Sequence, residues 1–291
     1  MKTTTPTKVK DYFLTKETFS VSKIKDLDVF QTLPKTDKES INKYYKSKKY
    51  LSHNNNKTFF SSLYLFVKWV SFYFKYRVLK KASSHHNRLL DFGSGNAYFV
   101  SKLNEKGGQA FAYDPFYSQV SNKTIEQQKV FVNESDLITS KFKTVTMWHS
   151  LEHVFSYKDT LSLASEILDS KGCLIVACPN YQSYDANYYK EYWAGFDVPR
   201  HYWHFSPNGL IEIMANSGFD YINKKPMYFD ALYVSMLSEQ YKKSKLWFFK
   251  GLVVGLVSNL VSLFKKNASS YVYVFKKRFS TLLSTFKCAV R

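Results

Sequence analysis

Cysteine is scarce: three stand in 291 residues, Cys173, Cys178 and Cys288, and none has the spacing of a metal site or a disulfide pair. This excludes a disulfide-stapled scaffold and fits a reducing, cytoplasmic compartment. Cys173 and Cys178 share one apolar run at an odd separation, so they should face opposite sides of a strand as small buried hydrophobes. Met1–Lys10 lacks the apolar core of a secretory leader, and none is expected. Internal repeats are absent, which excludes a solenoid.

Acids are also in short supply, with 23 Asp+Glu against 42 Lys+Arg and a formal net charge of +19. Such an excess could serve nucleic acid or a membrane surface. No lysine block is as dense as a nucleic-acid arm, so the expectation is solvated lysine faces without a nucleic-acid partner. A charge-free membrane span is missing near the N-terminus as well. Phe59–Tyr76 approaches the roughly 20 residues a span needs, but Lys68 and Lys75 interrupt it, and it reads as a long helix packed on a sheet.

The apolar share of 45% suffices for a full core, and the aromatic share of 18% is high. The chain is organised around Leu89–Ala97, an apolar strand that ends in Asp91, turns on Gly93 and Gly95, and opens a helix. Unpaired N–H groups at such a helix start favour a nucleotide-like group. Strand and helix alternate from there. Strands are expected at Ala110–Tyr113, Val130–Val132, Phe142–Trp148, Gly172–Ala177, Asp220–Lys224 and Tyr271–Phe275. Helices are expected at Ala97–Lys106, Tyr157–Leu168 and from Ser206–Pro207 to Asn216. That order predicts an α/β fold with a doubly wound sheet and helices on both faces.

The expected units are an N-terminal extension over residues 1–58, able to cap a pocket, with one helix at Lys38–Tyr45. The apolar helix of residues 59–82 leads into a core domain over 83–278. A helical insertion at about 230–268 precedes the last strand, and a short amphipathic tail covers 279–291.

Asp114 follows the glycines by about 20 residues at the end of the second strand, where an acid suits a ribose diol. A dinucleotide fold would place a third glycine where Tyr98 stands. Asp91 would repel a pyrophosphate but favour a cationic amino-acid end. At this point the chain resembles the class I S-adenosylmethionine-dependent methyltransferases over roughly Arg88–Arg278. The resemblance rests on Leu89–Ala97, Asp114, Asn133–Glu134, Thr144–Val154 (TVTMWHSLEHV) and Gly172–Asn180 (GCLIVACPN). Trp193–Ser206 (WAGFDVPRHYWHFS) looks like a segment of the ubiquinone-biosynthesis-like branch, in a bacterial group. Ala97 stands where the family turn often has its third glycine.

The resemblance implies a Rossmann-like seven-stranded sheet and S-adenosylmethionine as cofactor. Asp91, Gly93, Ser94 and Gly95 would line its methionine end. Asp114 would hold the ribose, Pro115 or Phe116 would lie beside the adenine, and Glu134 near the adenine amine. Trp148 and His149 would sit near the transferable methyl. Some ubiquinone-type enzymes hold a divalent cation with an acid–x–x–Glu–His pattern. Here His149 replaces the first acid ahead of Glu152 and His153, which breaks the all-oxygen set that magnesium prefers, so no metal is expected.

His149, Glu152, His153 and His201 are the catalytic candidates, with His149 or His201 taking a proton from an acceptor hydroxyl. Arg200 could grip a carboxylate or phosphate, while Trp193, His201 and His204 could line the acceptor pocket. The expected activity is O-methylation of a small-molecule, quinone-like or lipid/glycan acceptor. RNA methylation and a non-catalytic binding module are the alternatives. The lysine-flanked apolar helices at Phe59–Tyr76 and Leu246–Phe264 could touch the inner membrane.

Overall fold

The structure, a computed structural model, describes residues 7–37, 40–45, 59–82, 87–116 and 129–278. The tail expected at 279–291, Cys288, the start of the Lys38–Tyr45 helix and the loop at Asn54–Asn56 lie outside them. Eleven strands occur among the described residues: β1 (Thr7–Lys10), β2 (Thr18–Lys23), β3 (Val29–Leu33), β4 (Asn87–Phe92), β5 (Gln109–Tyr113), β6 (Val130–Phe131), β7 (Phe142–Trp148), β8 (Leu168–Pro179), β9 (Trp203–Phe205), β10 (Phe219–Pro226) and β11 (Ser270–Lys277). The helices are α1 (Phe59–Ala82), α2 (Tyr98–Glu105), α3 (Ser135–Ile138), α4 (Tyr157–Ile167), α5 (Tyr184–Tyr189), α6 (Pro207–Asn216), α7 (Tyr228–Tyr241) and α8 (Trp247–Lys265).

Seven strands form one sheet in the order β6-β5-β4-β7-β8-β11-β10. The strands from β6 to β8 run parallel, and β11 lies antiparallel to both β8 and β10. The direction changes between neighbours at β4, where β5 lies on one side and β7 on the other. Open α/β sheets bind ligands at the carboxyl edge of such a switch point.

Two apolar layers cover this sheet. Leu89, Ile175, Ala177, Val272 and Val274 pack under α1 and α2 with Val78, Leu79, Val100 and Leu103. Leu90, Val145, Leu174, Val176 and Phe275 pack under α4 and α6 with Leu161, Ile213 and Met214. Alternate residues of β8 therefore serve opposite layers, as period-2 strands must. Cys173 falls in the first layer and Cys178 in the second, both reduced and buried. Helix α6 starts as its sequence dictates, with Ser206 Oγ accepting from Gly209 N–H at 2.9 Å and Pro207 in the first turn.

The N-terminal extension departs from expectation. Its described residues form three strands and one 3-10 turn (Ser40–Tyr44) rather than a single helix. They make an antiparallel sheet, β1-β2-β3-β9, whose last strand belongs to the core segment after β8. Val9, Phe19, Val21, Val29 and Phe30 are buried in the α4/α6 layer. Three short strands, the first with lysines at alternate positions, read as polar chain until a partner strand covers their apolar side.

Candidate active site

The turn after β4 carries positive φ at Gly93 (75°), Gly95 (56°) and Ala97 (55°). Gly93 has a further constraint, because a side-chain carbon there would run into Ser150 of the loop after β7. Gly93 and Ser94 donate their N–H groups to Tyr113 O at 2.8 and 3.1 Å. Gly95 N–H reaches Asp114 Oδ2 at 2.8 Å, and Phe116 N–H reaches Asp114 Oδ1 at 2.8 Å. Asp114 is thus bound to the turn at the end of β5, with burial raising its carboxyl. Pro115 is exposed beside it, and Glu134 accepts from Tyr113 Oη at 3.3 Å. Ser94 Oγ is buried without a hydrogen-bond partner. An orphaned hydroxyl in a glycine turn, beside an acid with spare lone pairs, fits a nucleoside.

Asp91 is 3% exposed and accepts from Thr146 Oγ1 at 2.6 Å. Burial pushes its carboxyl up to about 6, against the pull of Lys75 and Thr146. Lys75 comes from α1, and its ammonium lies 5.0 Å from the Trp148 ring centroid and 5.6 Å from that of Phe99. Burial lowers Lys75, while Asp91 and Asp230 pull it back up. An acid and an aromatic face thus already hold a cation at the mouth of the turn, which suits the methionine end of S-adenosylmethionine. The sequence reading missed Lys75, treating it as a mere break in an apolar helix.

His149, at φ 53°, lies between two carboxylates: Nδ1 is 3.4 Å from Glu152 Oε1 and Nε2 is 3.1 Å from Asp230 Oδ2. Both are ion-pair distances, and Glu152 Oε1 and Asp230 Oδ2 have no hydrogen-bond partner. Burial alone would depress this ring, but Asp230 and Glu152 raise it to about 10. Burial likewise opposes ionisation of Glu152, yet His149 beside it holds it down at about 2. His149 is therefore an imidazolium at neutral pH, which corrects its expected role as proton acceptor.

His153 and His201 are arranged differently. Their rings meet edge to face with centroids 4.5 Å apart. His153 Nδ1 donates to Arg200 O at 3.1 Å, and His201 Nδ1 donates to Gly195 O at 2.9 Å. Each ring so oriented keeps a lone pair on Nε2. Burial, reinforced by His201, drops His153 to about 4, so it stays neutral. Glu152, His153 and His201 each offer a ligand atom within 4.8 Å of the others, close enough to hold a metal ion or relay a proton. Spacing along the chain joined Glu152 to His153 but could not bring in His201.

Three expected acceptor residues are corrected. Arg200 is 2% exposed, with Nη2 3.0 Å from Asp11 and 2.7 Å from Asp197, Nε 3.0 Å from Asp197, and Nη1 3.1 Å from Tyr44 O. Its fork is closed on the extension and cannot grip a substrate anion. His204 Nε2 donates at 2.9 Å to Thr32 Oγ1, whose own proton goes to His201 O at 2.7 Å. Burial lowers this ring to about 3. Trp193 is buried with its Nε1 on Asp185 at 2.8 Å. Asp185 also accepts from Ser258 and Ser269, both at 2.7 Å.

One residue of the N-terminal extension reaches this site. Tyr45 Oη lies 3.1 Å from His153 Nδ1, and its ring stacks on Phe116 at 5.8 Å. Tyr45 therefore bridges the histidine pair and the ribose-acid loop.

A parallel sheet with one reversed strand, a glycine turn at its switch point and an acid at the end of the next strand define a class I S-adenosylmethionine-dependent methyltransferase. A family model described as "Methyltransferase domain" matches residues 63–224, and the chain belongs to that family. No curated protein matches the chain. Among solved structures, magnesium protoporphyrin IX methyltransferase from Synechocystis PCC 6803, with bound SAH, superposes with a TM-score of 0.51 at 13% identity, covering 83% of this chain and 100% of its own. Geranyl diphosphate C-methyltransferase from Streptomyces coelicolor A3(2) gives 0.50 at 13% identity, covering 80% and 89%. At such identities the likeness is one of fold, and the enzyme class rests on the family match.

Proposed function

We propose that this methyltransferase acts on an oxygen of a small amphiphilic acceptor, quinone-like or lipid/glycan in class, with His201 receiving the proton. The ubiquinone-biosynthesis-like branch, in a bacterial group, is its place in the family on the motifs Thr144–Val154 and Trp193–Ser206. S-adenosylmethionine brings a methyl already activated on sulfur, so the chain's task is to align the acceptor and manage one proton. Asp91 and Lys75 would hold the two charges of the methionine end, and Asp114 the ribose.

The observation that carries the reading is the locked His153–His201 pair beside Glu152. Each ring has its Nδ1 fixed on a carbonyl, leaving Nε2 able to accept. The adjacent loop is fastened to the glycine turn, with Ser150 Oγ donating to Phe92 O at 2.7 Å. His149, already protonated, supplies a fixed positive charge instead.

Incubating the protein with cell extract and S-adenosylmethionine carrying a trideuterated methyl, followed by mass spectrometry, tests this. A labelled ether or ester is expected. His201→Ala should slow its formation by about a hundredfold, in the range of a lost general base, while S-adenosylhomocysteine binding by calorimetry stays intact. Label found on nitrogen, carbon or RNA, or an unchanged rate in the variant, overturns the reading.

A further inference from the structure

Helices α7 and α8 form a hairpin with its polarity reversed. The inner side of α8 carries Gly251, Gly255, Ser258 and Ser262, all buried. Both glycines meet α7 so closely that a side chain would strike the backbone of Met236 or Leu232. The inner side of α7 carries Ala231, Ser235, Ser238 and Glu239. This lining is held by hydrogen bonds: Ser258 to Asp185 at 2.7 Å, Ser238 Oγ from Ala194 N–H at 2.9 Å, and Asn259 to Tyr228 O at 2.9 Å. Small residues at a helix contact are the packing used where no hydrophobic drive joins the helices.

The outer side of α8 is the opposite. Phe249, Val253, Leu256, Leu260 and Leu263 recur at intervals of four and three residues on one face, all exposed, and Phe264 beyond them is 85% exposed. Only 22% of the most apolar stretch is buried, and its mean hydropathy is 1.6. Exposed Trp247 and Phe248 stand at its start. No charge interrupts this face from Gly251 to Phe264. Lysines gather at both ends: Lys242, Lys243, Lys245 and Lys250 around its start, Lys265 and Lys266 after it.

We propose that this hairpin lies flat in the interface of an anionic lipid bilayer, with the outer face of α8 among the acyl chains and both lysine groups at headgroup level. Length alone would let α8 cross a membrane. Its inner face, however, is bonded to Asp185 in the protein core, so only one side is free for lipid. A flat helix with an apolar side and cationic ends is the pattern of a monotopic anchor, and anionic headgroups satisfy the lysines at both ends. A second copy would satisfy neither, because parallel and antiparallel pairing both set lysine against lysine. Asp230, which pairs with His149 at 3.1 Å, belongs to the same hairpin, so the anchor joins the rim of the active site. The proposal is independent of the acceptor's identity.

Flotation of the full chain with phosphatidylcholine vesicles, with and without phosphatidylglycerol, tests it. The protein should float with the anionic vesicles at low salt and be released as salt rises. The combined variant V253E, L256E and L260E should lose at least tenfold in vesicle binding while retaining S-adenosylhomocysteine binding. Should that variant fail to bind S-adenosylhomocysteine, the combination K245S, K250S, K265S and K266S carries the test and should abolish the preference for anionic vesicles. Protein that stays soluble with anionic vesicles at low salt, or binding untouched by either variant, overturns the proposal. So does a lipid-free dimer, seen by sedimentation, that the glutamate variant dissociates.

Discussion

At the scale of single residues, the site sets the buried acid Asp91 near the cation Lys75. On the proposed reading Asp91 would take the ammonium of the cofactor, and Lys75 its carboxylate. Replacing Lys75 by methionine keeps its packing against Phe99 and Trp148 but removes the charge. S-adenosylmethionine affinity should fall about ten- to a hundredfold, a charge-assisted hydrogen bond being worth roughly 1.5–3 kcal/mol. Calorimetry with methylthioadenosine, which lacks the amino-acid end, should show no difference between the two proteins; a difference there would refute the pairing.

Asp91 also sets a pH dependence. Its folded carboxyl is raised to about 6, so its contribution to stability is complete below its ordinary value and is lost as pH climbs through 6. The ammonium of the cofactor needs the ionised form. Affinity should therefore rise about tenfold between roughly pH 5 and 7. Asp91→Asn should bind weakly with a flat profile across that range. A wild-type profile equally flat would remove Asp91 from the site.

At the scale of elements, the glycine turn, the strands of the large sheet and α6 were legible because each announces itself locally. Phe142–Trp148 is β7 to the residue, and Ser206–Pro207 starts α6 where a serine cap and an N1 proline should. The acid beside the glycine turn, Asp114, was legible from its distance to the glycines. What escaped was whatever depends on a distant partner. Arg200 looked like a free anion fork because Asp11, its partner 189 residues away, has no local signature. His149 looked like a base because Asp230, on an inserted helix, could not be placed from sequence. Strands β1 to β3 were hidden because their apolar side counts only once core helices cover it.

Arg200 fastens the small sheet to the core, and its guanidinium also lies over the Phe13 ring at 4.9 Å. Arg200→Met leaves the Asp11 carboxylate buried without its charge partner, with only Phe13, Leu14 and Thr15 still donating to it, at a cost of about 3–5 kcal/mol. Urea denaturation should show that loss. A change under about 1 kcal/mol would mean that water replaces the arginine.

At the scale of the whole molecule, the N-terminal extension and the segment after β8 are parts of one structure, because β9 completes a sheet whose other three strands come from the start of the chain. That union carries Tyr45 to His153 and brings Thr32 to His204. It also has a price in biosynthesis. Thr32 and His201, which bond in the finished sheet, are 169 positions apart. At about 5–20 residues per second, β3 leaves the ribosome roughly 10–35 s before its partner strand exists. Through that interval Val21, Val29 and Phe30 have no core to enter, and the edge of β3 offers unpaired backbone to any passing strand. The nascent chain is thus open to aggregation at β3, and stays so until Trp203–Phe205 has been synthesised.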